Sequence, residues 1–188
     1  MGTLWCLRTR TSAYDARMAH EHLPGGYSYC PWCGTPLESR MIGDRARPAC
    51  PRCEFVHFRN PGVGAAVVIR DELGRILLIR RAEGATRAGL WAVPAGFVDY
   101  GEDVRAAAAR ELFEETGLTA EIGEVLHVAS NFHDPAKLTV GVWFVGVVTG
   151  GTLAAGDDAD EVGFFDFDDL PPLAFETDRD LFERLSAS

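Results

Sequence analysis

The run from Gly96 to Leu118 constrains this chain more than any other segment. It passes from a glycine-rich loop, Pro94 to Gly101, into a helix expected over about Asp103 to Thr116. Gly117 followed by Leu118 supplies a left-handed stop with its apolar contact. At about 100° per residue, Glu111, Glu114 and Glu115 share an arc of roughly 100° on that helix. Three carboxylates on one face, with one arginine nearby, repel each other. A hard divalent cation, Mg²⁺ or Mn²⁺, relieves that repulsion through oxygen ligands and can hold phosphate as well. Arg110 is the i,i+4 neighbour of Glu114 and can orient it. Ala106 to Ala109 leave the opposite face small enough to pack closely. A solvated acidic face is the ordinary fate of a glutamate-rich helix, so the wider spacing has to decide.

That spacing matches, position for position, the pattern G-x5-E-x7-R-E-U-x-E-E-x-G-U, with U a bulky aliphatic residue. A chance match is on the order of 10⁻⁸ to 10⁻⁹ per start position at ordinary residue usage. Over about residues 60 to 185 the chain therefore resembles the Nudix hydrolases. The resemblance implies an α/β fold, a Nudix-type α/β/α sandwich with a mixed sheet. It implies that Glu111, Glu114 and Glu115 bind the divalent metal, joined by the backbone carbonyl of Ala95, and that Glu102 pairs with Arg110. The implied reaction is attack of water on a diphosphate linked to a further moiety. The general base varies among such enzymes; Glu161 is the candidate on a later element, against the reading of a solvated loop residue. Arg80 and Arg81, ending the strand that leads to the box loop, are candidates to hold substrate phosphates or stack on a base. Position 99 departs from the common pattern, with Asp where related sequences often have Glu.

Around this segment, Val63–Arg70 and Arg75–Arg81 read as strands joined by a turn at Asp71-Glu72-Leu73-Gly74. Further strands are expected at Gly123–Phe132, Leu138–Val148 and Val162–Phe167. A closing helix is expected from Thr177, with Thr177 and Asp180 resembling a capping box. Three segments result: residues 1–25 as a disordered arm, 26–58 as a small module, and 60–188 as the hydrolase domain.

Four of the five cysteines lie in the small module as Cys30-Pro-Trp-Cys33 and Cys50-Pro-Arg-Cys53. Thiolates at this spacing come from two turns that meet and fit tetrahedral Zn²⁺, with no position left open for water. Such a zinc is structural, and in a segment with almost no core it supplies folding energy. Two disulfides are the competing reading; the absence of a signal-like apolar stretch near Met1 disfavours them and makes a cytoplasmic location the expectation.

The net charge of −10 argues against general affinity for nucleic-acid backbones, and the apolar runs are too short for a membrane span. No nucleic-acid or membrane partner is expected. The expected partner is a small nucleotide diphosphate derivative, with a homodimer among the arrangements the resemblance allows. A zinc ribbon before such a domain is similar to two groups. NADH pyrophosphatases carry an SQPWPFPxS array after the box, and nothing like it follows Leu118 here. The other group, acting on FAD or ADP-ribose, shares Asn60-Pro61, Pro94-Ala95-Gly96 and Leu173-Ala174-Phe175. A flavin or ADP-sugar dinucleotide is therefore favoured, the alternatives being an NADH/NAD pyrophosphatase and a non-catalytic sensor of nucleotides.

Overall fold

The computed structural model describes residues 26–186. The arm expected at residues 1–25 lies outside them. The chain divides into two compact units, one up to Asn60 and one from Pro61.

In the first unit, β1 (Glu38–Ile42) and β2 (Arg45–Ala49) form an antiparallel hairpin that turns through Gly43, whose φ of 66° suits a residue without Cβ. Little apolar surface is buried here beyond Cys30, Ala49 and Cys50. Trp32 and Tyr27 pack edge-on against Phe55.

The second unit is built on β3 (Gly62–Ile69), β4 (Ile76–Arg81), β5 (Trp91–Ala92), β6 (Ala95–Phe97), β7 (Leu118–Asn131), β8 (Thr139–Gly151) and β9 (Ala159–Phe165). They form two sheets, ordered β6-β3-β8-β7 and β5-β4-β9. Only β3 and β8 run parallel, so the sheet is mixed. Alternation along β3 explains the layering. Ala65, Val67 and Ile69 pack in one cluster with Ala107, Ala108 and Leu112 of helix α1 (Val104–Thr116). Ala66 and Val68 pack in the other with Leu181 and Phe182 of helix α2 (Glu176–Ser186). Side chains of one strand that bury on both faces need a helix on each, and the α/β/α sandwich follows.

Helix α1 begins where the spacing predicts it. The Asp103 side chain caps it by accepting from the Arg105 and Ala106 N–H groups, and Gly117 ends it at φ 69°. Other boundaries differ. Strand β7 starts at Leu118 rather than Gly123, because register shifts after Thr119, Ile122 and Val125 break the two-residue alternation by which a strand is read. The closing helix already includes Glu176, and its Arg179 N–H reaches the Phe175 carbonyl. Thr177 therefore lies inside the helix and not at its cap, which corrects the expected capping box. Its neighbour Asp178 is buried instead: Oδ1 accepts from Trp143 Nε1 at 3.0 Å and Oδ2 from the Val93 N–H at 3.4 Å.

Candidate active site and zinc site

Helix α1 presents its acids beside the backbone of the box loop. A Cβ at Gly96 would overlap the Glu111 carboxylate, so the loop approaches the helix only because residue 96 has no side chain. The Ala95 N–H donates to Glu115 Oε2 at 2.9 Å, pinning the loop to a carboxylate that is 1% exposed. Arg110 binds the Glu102 carboxylate with two nitrogens, at 2.9 and 3.0 Å. The same guanidinium donates to Glu111 at 2.8 Å, to Glu114 at 2.9 Å and to the Phe97 carbonyl at 3.0 Å. Arg110 thus ties helix to loop, and its hydrogen bonds hold Glu102 down to a pKa of about 2.

Two acids that were not among the sequence candidates complete this cluster. The segment after β8 tracks back along the C-terminus of α1. Thr152, Ala154 and Gly156 donate N–H bonds to the carbonyls of Gly117, Thr116 and Glu115. These bonds satisfy helix-end acceptors and bring Asp157 and Asp158 up to the glutamates. Burial, and then the Asp158 carboxyl, push Glu115 up to about 9. Burial likewise raises Glu111, with Glu114 and Asp157 adding repulsion against the opposing pull of Arg110. A proton or a further cation relieves the crowding of these carboxyls. A hard divalent ion with oxygen ligands fits that donor set. Glu111 and Glu114 are turned onto Arg110, and the glutamate oxygens do not converge within 4.8 Å as a ligand cage.

The other candidates separate. Arg80 faces β9, where it pairs with Asp160 at 2.8 Å and with Glu161 at 3.2 Å. Glu161 thus sits across the strands against an arginine, and Asp158 takes the place beside Glu115. Arg81 lines a cleft of about 190 Å³ next to the box loop, together with Gly96, Phe97, His133, Lys137 and Phe175. Its guanidinium binds the Thr86 carbonyl at 2.7 Å and Asp158 at 3.3 Å. Asp99 is exposed; its N–H donates to Glu102.

In the first unit the four thiols of Cys30, Cys33, Cys50 and Cys53 lie within 4.8 Å of one another, and no disulfide joins them. Sγ–Sγ separations of 3.5 to 3.8 Å suit a tetrahedron whose edge is about 3.8 Å for Zn–S bonds of about 2.3 Å. The Arg52 and Cys53 N–H groups point at Cys50 Sγ, each at 3.4 Å.

The NUDIX domain model matches residues 60–185. The chain belongs to the Nudix hydrolase family. Residues 28–59 match a Nudix zinc-ribbon family described as Nudix N-terminal. An ADP-ribose pyrophosphatase of Methanocaldococcus jannaschii is 40% identical over 123 residues, covering 65% of this chain and 72% of that protein. An NAD-capped RNA hydrolase, NudC, of Chromobacterium violaceum is 28% identical over 78% of this chain; the chain spans 53% of that relative's length. A Nudix hydrolase structure from Nitrosomonas europaea superposes with a TM-score of 0.74 at 31% identity, covering 84% of this chain and 89% of that one. Among the described residues no helix is long and apolar enough to cross a membrane.

Proposed function

We propose that this Nudix hydrolase cleaves the diphosphate of a nucleoside diphosphate linked to a second moiety, with ADP-ribose or FAD as the favoured substrates. One observation carries the reading: Glu111 and Glu114 gather against the Arg110 guanidinium, and the buried Glu115 meets Asp158 beside them, next to the box loop that lines an open cleft. Glu111, Glu114 and Glu115, with the Ala95 carbonyl, would hold Mg²⁺ or Mn²⁺. Bound there, the metal neutralises phosphate oxygens and lowers the pKa of the attacking water. The chain's own groups do the rest. Glu102 holds Arg110, and Arg110 holds Glu111 and Glu114 in place while reaching the Phe97 carbonyl. Asp158, beside Glu115 and tied to Arg81, takes the role of distal acid for which Glu161 was the candidate under the family resemblance. Water adds to one phosphorus, the bridging P–O bond breaks, and two phosphomonoesters leave. The four thiols of the ribbon would hold a structural Zn²⁺.

The resemblance to the Methanocaldococcus ADP-ribose pyrophosphatase, 40% identical, supports an ADP-sugar. A second reading, a dinucleotide such as NAD free or at an RNA end, is favoured by the alignment with NudC, which extends over 78% of the chain. A panel of ADP-ribose, FAD, NADH and NAD-capped RNA with Mg²⁺, read by product identity, tests both. The first reading expects AMP from ADP-ribose or FAD at the highest kcat/KM. Preference for NADH or capped RNA replaces it with the second, and binding of every compound without turnover overturns both.

A further inference from the structure

Three cationic side chains stand at or near the cleft, and they differ in what already holds them. Arg81 is engaged by Asp158 and by the Thr86 carbonyl. Arg87, at φ 61°, lies over the Phe175 ring, with its guanidinium carbon 6.0 Å from the centroid. Lys137 is different. It lines the cleft, and among the described residues no carboxylate lies within 4.0 Å of its ammonium group. Its Nζ sits 4.2 Å from the centroid of Phe97. A cation over an aromatic face is held weakly, enough to bias its position without neutralising it.

Phe97 makes that position matter. Its carbonyl accepts from Arg110, its chain neighbour Gly96 abuts the Glu111 carboxylate, and its ring carries Lys137. The ammonium is therefore anchored to the loop that lies against the acid cluster, on the side where the cleft opens. Its own loop is organised for this: Asp134 accepts the Ala136 N–H through Oδ1 at 2.8 Å and the Lys137 N–H through its carbonyl at 3.1 Å. Lys137 is also the only lysine in 188 residues, beside seventeen arginines.

We propose that Lys137 is a substrate-positioning residue that binds a phosphate oxygen of the ligand in this cleft. The inference rests on the hydrolase reading above. An unpaired ammonium on the loop side of an acid cluster complements a diphosphate: one phosphate would meet the metal that the carboxylates would hold, and the other would meet Lys137. Phe97, His133 and Phe175 give the same cleft flat apolar faces for the group that the diphosphate carries.

The uniqueness of Lys137 makes the test direct. Trinitrobenzenesulfonate, which arylates amines, is applied to the whole protein with and without ADP, and Lys137 is followed by peptide mapping, which separates it from the N-terminal amine and the thiols. ADP occupancy is set independently by calorimetry. Several-fold slower modification of Lys137 at saturating ADP is expected; an unchanged rate with ADP bound overturns the proposal. In turnover, Lys137→Ala is expected to raise KM for the diphosphate substrate about 10-fold or more, since hydrogen bonds to charged groups contribute roughly 1.5–3 kcal/mol. Its kcat should stay near that of the parent, and Lys137→Arg should recover most of the loss. A wild-type KM in Lys137→Ala overturns the proposal. Should the parent turn nothing over, the hydrolase reading fails, and the amine-protection experiment still decides the role of Lys137.

Discussion

Replacing Asp178 with Asn tests how the fold holds the box loop. Asp178 is 2% exposed, and its carboxylate takes the indole N–H of Trp143 and the main-chain N–H of Val93, two residues before Ala95. Burial nevertheless outweighs these bonds and pushes the carboxyl from 3.8 up to about 6. That climb corresponds to roughly 3 kcal/mol at about 1.4 kcal/mol per pH unit. Between those two values the folded protein holds a proton that the unfolded chain has released. Stability from this group is fully present below about pH 4 and is lost as pH rises through about 6. Urea unfolding of parent and Asp178→Asn, at matched zinc and several pH values from 4 to 7.5, isolates the term as a difference. The parent should lose roughly 3 kcal/mol relative to the variant across that range. Parallel stability curves would refute the reasoning, because they would mean that the carboxyl titrates alike in both states.

Gly96→Ala should cut kcat/KM by about 100-fold with little change in Tm, since the new methyl displaces the flexible end of Glu111 rather than backbone; a fully active variant contradicts the close approach. Zinc analysis should give about one Zn per chain, and chelation should abolish amide-exchange protection in the β1–β2 hairpin. Protection that survives complete zinc removal would mean that the four thiols do not carry the ribbon's fold.

Helix α1 and its glycine stop were legible in the sequence because each depends on neighbours within one loop and one helix, and the Glu102–Arg110 pair was an expectation of the family resemblance. The cysteine turns were legible for the same reason. What escaped depends on distant partners. Asp157 and Asp158 carry no local signal that marks them, and the main-chain bonds from residues 152–156 to the end of α1 bring them to the glutamates. Asp178 read as part of a helix start, since its partners Trp143 and Val93 stand 35 and 85 residues away. Arg80 and Arg81 are adjacent in sequence, yet one turns to Asp160 and Glu161 on β9 while the other lines the cleft. A period-two strand separates such neighbours, but the pattern alone does not say which of them meets the cleft. Short strands β5 and β6 carry too few residues to show any period.

The most direct test of the account compares the parent with Glu114→Gln and Glu115→Gln in ADP-ribose or FAD hydrolysis, titrated with Mg²⁺ and read by AMP release. The account predicts metal-dependent AMP formation by the parent and a loss of about 100-fold or more in kcat for each variant, the scale on which removing preorganised electrostatic stabilisation acts. Undiminished turnover in both variants, or full turnover by the parent after exhaustive removal of divalent metal, would contradict it.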